Sequence, residues 1–105
     1  MARRVAIIGT GQTRHTLHRW DANWPELIHE SAVIALNDAG LNPSDIDAVV
    51  FGSAIQVQEG IEHPGKWCAD GIAGIFKPQM RFHTGGTVGA SVISAAYYQI
   101  CSGLY

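Results

Sequence analysis

Arg81-Phe82-His83-Thr84-Gly85-Gly86-Thr87-Val88-Gly89-Ala90-Ser91 passes from a short extended run, through closely spaced glycines, into an apolar helix-forming stretch. Adjacent glycines let the backbone turn sharply, and a further one a turn later leaves the helix start uncrowded. A strand that turns straight into a helix aims the first unpaired N–H groups and the positive dipole end at one point. Such a point suits an acyl or phosphoryl oxygen, which makes Gly85, Gly86 and Gly89 candidate ligand contacts. The competing reading is a tight turn with close helix packing. A dinucleotide fingerprint fits poorly, because Thr84 stands where GxGxxG needs its first glycine. Gly9-Thr10-Gly11 fits no better, since Arg14 occupies the third glycine position and no clear helix follows.

The sequence before the elbow supplies alternating strand and helix signals. Val5 to Ile8 is a continuous apolar run closed by Gly9, the pattern of a strand buried on both faces of a parallel sheet. Thr10 to Ala22 reads as a polar loop. Asn23-Trp24-Pro25-Glu26 joins a capping residue, an early proline and an acid three positions on, which starts a helix. Leu27, Ala32, Val33, Leu36 and Ala39 continue it at helical spacing, and Gly40 ends it. Asn42-Pro43-Ser44-Asp45 is turn chemistry, and Ala48 to Phe51 reads as a second strand. The connection Gly52 to Gly65 is long enough to suggest binding or interface work. Trp67 to Phe76 reads as a weak helix in which Gly71 and Gly74 permit close approach of another backbone. Met80 to His83 is the third strand and Thr87 to Ser102 the third helix. The order is βαβαβα, an α/β class with a mainly parallel sheet and right-handed crossovers.

Composition narrows the function. A chain of 105 residues is one domain at most. A net charge of −2 with 15% charged residues offers no basic face for nucleic acid or anionic lipid. Apolar runs are interrupted well short of the ~18 residues of a membrane span, and the apolar run before Gly9 is too short for a signal peptide. A soluble, cytoplasmic protein is expected. Cys68 and Cys101 lack both CxxC spacing and a second pair, so neither a zinc site nor a disulfide framework is expected. They read as buried small hydrophobes. His15, His18, His29 and His63 show no ligand spacing, and no metal is expected. Trp20 and Trp24 are read as a staple and lid at the start of the first helix. One of Tyr97 and Tyr98 is expected in the core.

The elbow, together with Val88-Gly89-Ala90-Ser91 through Gly103, resembles the nucleophile elbow and following helix of the thiolase superfamily. Val5 to Gly11, Glu26 to Leu41 and Ile46 to Gly52 resemble the first strand, first helix and second strand of the same domain. The resemblance covers nearly all of residues 1–105 and points to the acetyl-CoA acetyltransferases and sterol-carrier thiolases. It implies the amino-terminal part of a longer fold acting on coenzyme A thioesters, forming or breaking a carbon–carbon bond beside the thioester carbonyl. In that register the family's catalytic cysteine falls on Gly86. Glycine cannot be acylated, which favours retro-aldol or decarboxylative chemistry that needs only an oxyanion site and a base. Gly86 and Thr87 are the implied catalytic positions, and His83, Gly85, Gly86 and Gly89 the implied acyl-CoA contacts. Thr87 also reads as a helix cap, and His83 as a structural histidine or a residue of the pocket. The family's catalytic histidine and second cysteine lie in its carboxy-terminal half, so this chain alone is expected to be inactive. The resemblance further implies a homodimer through Met80 to His83 and a small zinc-ribbon and OB-fold companion protein. The alternative is a non-catalytic subunit that binds acyl-CoA or lipid, or scaffolds an active partner.

Overall fold

A computed structural model describes residues 3–54 and 64–105. The connection Gly52 to Gly65 lies mostly outside them. The first helix, α1, spans Trp24–Ala39. Asn23 Oδ1 accepts from Glu26 N–H at 3.0 Å while Asn23 N–H donates to the Glu26 carboxylate at 2.7 Å. This reciprocal cap satisfies N–H groups that the helix itself cannot. Gly40, at φ 68°, closes α1 by donating to the carbonyls of Leu36 and Asn37. A 3-10 turn at Pro43–Asp45 leads into β1, Val49–Gly52. The short helix α2 covers Pro64–Trp67, β2 covers Gln79–Phe82, and α3 runs Val88–Ser102.

β1 and β2 pair in parallel, Val49 opposite Gln79 through Gly52 opposite Phe82. Helix α3 crosses them in the opposite direction. Its first turns sit on the end of β1, where a Cβ added to Gly52 would lie 2.5 Å from Val92 and 2.7 Å from Val88. Its last turn lies over the start of β2, where Gln99 Nε2 donates to Met80 Sδ at 3.3 Å. On α1's side, Trp24 meets Phe51 edge to face at 6.1 Å. Cys68, only 1% exposed, is the largest fully buried side chain among the described residues.

Several expectations are corrected. Val5 to Ile8 forms no strand, and Ile7 and Ile8 are 78% and 66% exposed. A strand needs a ladder partner as well as an apolar pattern, and the described sheet contains only β1 and β2. The α/β class with a parallel sheet holds, with the order αβαβα. Trp67 to Phe76 is not a helix: α2 ends at Trp67, and Ala73 and Phe76 take φ of 60° and 59°, which a right-handed helix excludes. Its glycines do permit close approach, since a Cβ on Gly71 would lie 3.0 Å from that of His29. The third strand starts one residue earlier than expected, at Gln79, and ends before His83. Trp20 is no lid; it is 90% exposed and stacks on His18 at 5.0 Å. Tyr97 and Tyr98 pack edge to face on each other at 5.5 Å and both stay exposed, so neither enters the core.

The loop before α1 is fixed by charge. Arg19 Nε and Nη2 donate to the Asp21 carboxylate at 2.9 and 3.0 Å, and Nη1 and Nη2 to that of Glu30 at 3.3 and 2.8 Å. These hydrogen bonds hold both carboxyls below their ordinary range and raise the guanidinium further. A carboxylate whose folded pKa is lowered contributes stability above its unfolded pKa and loses it as pH falls through the folded value. Acidification below the ordinary carboxylate range is therefore expected to release residues 19–21 from α1. Backbone amide resonances of Trp20 and Asp21 followed by NMR should lose their dispersion there, and an Arg19→Gln variant should show no such transition.

Candidate functional site

The elbow follows directly from the end of β2. His83 Nδ1 lies 3.0 Å from the Ser53 carbonyl oxygen. A carbonyl only accepts, so Nδ1 carries a proton, and in the neutral ring Nε2 is then the acceptor. This bond ties the start of the elbow to the residue after β1. Ser53 itself is 9% exposed. Thr84 turns the chain at φ −120°, ψ 28°, and Gly85 takes the left-handed conformation at φ 61°. Gly85–Thr87 then makes one 3-10 turn, with Val88 N–H donating to the Gly85 carbonyl.

Three hydroxyls pin this turn. The Thr87 hydroxyl donates to the Thr84 carbonyl at 2.9 Å, and that of Ser91 donates to the Thr87 carbonyl at 3.2 Å. Because the Ser91 proton is spent there, the 2.7 Å contact between the Thr84 and Ser91 hydroxyls has Thr84 as donor. Thr87 occupies the N-cap position of α3 without making a side-chain cap bond, contrary to its reading as a capping side chain. Its hydroxyl proton is committed to Thr84, leaving lone pairs that can accept.

The glycines face open space. A Cβ built on Gly85, Gly86 or Gly89 would meet no atom within 4 Å. Close helix packing is therefore not their role; Gly52, which the sequence reading did not single out, carries it. Among the described residues, no group accepts a hydrogen bond from Gly86 N–H. A donor so placed at the start of a fifteen-residue helix is suited to a developing negative charge.

The structure brings His83, Gly85, Gly86, Thr87 and Gly89 onto one strand-to-helix corner. Neither cysteine joins them. Burial pushes the Cys68 thiol above its ordinary range. Cys101 sits in the last turn of α3 with Sγ 3.7 Å from the Arg3 carbonyl, about 20 Å along the helix from Gly86. Beside it, a hydrogen bond with Cys101 raises the Tyr97 phenol. Cys101 is half-buried rather than buried, but it lies at the far end of α3 from the elbow's donors, while Cys68 is buried outright, so acetyl-CoA is expected to leave both cysteines unmodified. Intact-mass measurement after incubation checks this: a stable acetyl adduct on either would contradict the geometry.

Among the described residues, no group of three or more His, Cys, Asp or Glu is arranged to hold a metal ion. No described helix is long and apolar enough to cross a membrane. An apolar groove of about 490 Å³ lies apart from the elbow, between Ile8, Leu41, Val50 and the Val92 to Ile100 face of α3. Ser53 and Ser91 were not legible as site residues. Ser91 lies two helical turns beyond Thr84, a spacing that gives a weak signal; Ser53 gives none.

No protein-family model matches the chain. A segment of 51 residues, 49% of this chain, is 37% identical to an acetyl-CoA acetyltransferase of Methanothermobacter thermautotrophicus, and the match covers 13% of that relative.

Proposed function

We propose that this chain supplies the amino-terminal part of a thiolase-like site for acyl-CoA thioesters. The observation that carries the reading is the open corner at Gly86, whose N–H no described group uses. The partial likeness to an acetyl-CoA acetyltransferase supports the substrate class. Bound there, a thioester carbonyl oxygen accepts from Gly86 N–H and lies at the positive end of α3. As a carbon–carbon bond beside the carbonyl breaks or forms, negative charge builds on that oxygen, and a fixed donor favours that state over the ground state. His83 Nε2 is the basic atom nearest in sequence. The reaction class is carbon–carbon bond formation or cleavage, in the retro-aldol or decarboxylative manner that an absent nucleophile permits.

The second reading is a non-catalytic acyl-CoA-binding or scaffolding subunit, and Gly86 at the nucleophile position favours it. Both readings include a homodimer through the Met80 to His83 edge, the last three residues of β2 with His83 just beyond it, a small zinc-ribbon and OB-fold companion, and a cytoplasmic location. Met80, 45% exposed on that edge, is an apolar side chain a second copy would cover. Titration with acetyl-CoA tests the site: saturable binding below about 1 mM supports it, and none up to that concentration contradicts it. Exchange of the acetyl hydrogens into deuterated water, measured with the chain joined to the carboxy-terminal part that the thiolase-like reading implies, separates the readings, since only the enzyme stabilises the enolate.

A further inference from the structure

We infer that Ser91 is the positioning residue of the elbow: its hydroxyl, carried on the body of α3, holds the Thr84 to Thr87 turn so that Gly86 N–H stays aimed at an arriving thioester oxygen. Its part in binding rests on the acyl-CoA reading of the corner; its hold on the Gly86 amide does not.

Gly85-Gly86 is the least constrained dipeptide a chain can carry. A Cβ built on either glycine would meet no atom within 4 Å, so packing does not restrain the pair. Its direction is set by its two ends, Thr84 and Thr87. These close on each other, since the Thr84 carbonyl accepts from the Thr87 hydroxyl at 2.9 Å and from the Thr87 N–H at 3.4 Å. What ties Thr84 to the helix body is Ser91, the fourth residue of α3. The Ser91 hydroxyl accepts from Thr84 at 2.7 Å and donates to the Thr87 carbonyl at 3.2 Å, so one oxygen touches both ends of the glycine pair.

For the helix itself Ser91 is a poor choice. Serine is a weaker helix former than alanine, and a hydroxyl that bonds back to the carbonyl four residues earlier slightly destabilises the turn. Both bonds are open to water, which replaces them when the hydroxyl is removed. Alanine at this position therefore favours α3 while it frees the glycines, and stability and binding separate in sign.

Backbone ¹⁵N relaxation of the free chain, with urea unfolding and acetyl-CoA titration, tests this on Ser91→Ala, Ser91→Thr and Thr84→Val. In Ser91→Ala the Gly85 and Gly86 order parameters should fall from about 0.85, the rigid-backbone value, to below about 0.6. The unfolding midpoint should hold or rise, and acetyl-CoA affinity should fall about three- to tenfold, the worth of one hydrogen bond. Ser91→Thr keeps the hydroxyl and should restore order and affinity. Thr84→Val removes the donor at constant shape and should reproduce Ser91→Ala, and the double variant should lose no more than either alone. Unchanged order at Gly86 in Ser91→Ala would overturn the inference, whatever the affinity. A lowered midpoint and lost affinity that Ser91→Thr does not rescue would also overturn it, because the residue would then serve only the fold. Lost order with undiminished affinity would overturn its part in binding. A wild-type chain that binds no acetyl-CoA would contradict the acyl-CoA reading instead, and the order parameters alone would then decide whether Ser91 holds the amide.

Discussion

Gly11→Ala is expected to destabilise the chain by about 1–3 kcal/mol, the usual cost of forcing an extra carbon into a filled contact. A Cβ at Gly11 would lie 2.1 Å from the Ser31 carbonyl oxygen and 2.6 Å from Ala35 N. Both atoms are helix backbone, which cannot rotate away as a side chain can. The loop must lift from α1, taking Thr10 off Asp38. Urea unfolding measures the effect as a lower midpoint at constant slope. Gly89→Ala is the control of opposite sign: its Cβ meets nothing within 4 Å, and alanine favours a helix over glycine by up to ~1 kcal/mol. An unchanged Gly11→Ala midpoint would show that the loop does not seat on α1 as described.

That seat marks where sequence reading stopped. Local signals were legible: the Asn23 and Glu26 cap, the Gly40 stop and the elbow all arise from chemistry within a few residues. Gly9-Thr10-Gly11 fits a dinucleotide fingerprint poorly, and its sequence alone assigns it no other role. Its place against Ala35 and Ala39 depends on a helix more than twenty positions away, which local pattern does not reveal. Gly52 is similar, since only the packing of Val88 and Val92 gives it a role. The segment after α2 misled for a different reason: its apolar residues keep a loose helical period, while the chain turns through Ala73 and Phe76 at positive φ. In the site, glycine spacing located the corner. The hydrogen bonds that hold it, from His83 to Ser53 and among Thr84, Thr87 and Ser91, required the fold.

Gly86→Val is expected to separate binding from stability. The position is exposed, its Cβ points into open space, and its φ is not in the left-handed region that Gly85 occupies. The unfolding free energy should therefore change by less than about 0.5 kcal/mol, as for surface changes away from special conformations. A branched side chain beside the N–H blocks approach of a carbonyl oxygen, so acetyl-CoA affinity should fall at least tenfold, or about 1.4 kcal/mol. Gly85→Ala makes the contrast, because a left-handed alanine costs roughly 1–2 kcal/mol of fold stability.

The central claim is that Gly86 N–H receives the oxygen of an acyl-CoA thioester. Amide chemical shifts recorded during titration with acetyl-CoA test it most directly. The Gly86 proton is predicted to move downfield by the largest amount of any amide, saturating with the bound fraction, while free coenzyme A leaves it nearly unmoved. Saturable binding of acetyl-CoA with the Gly86 amide unshifted would contradict the account.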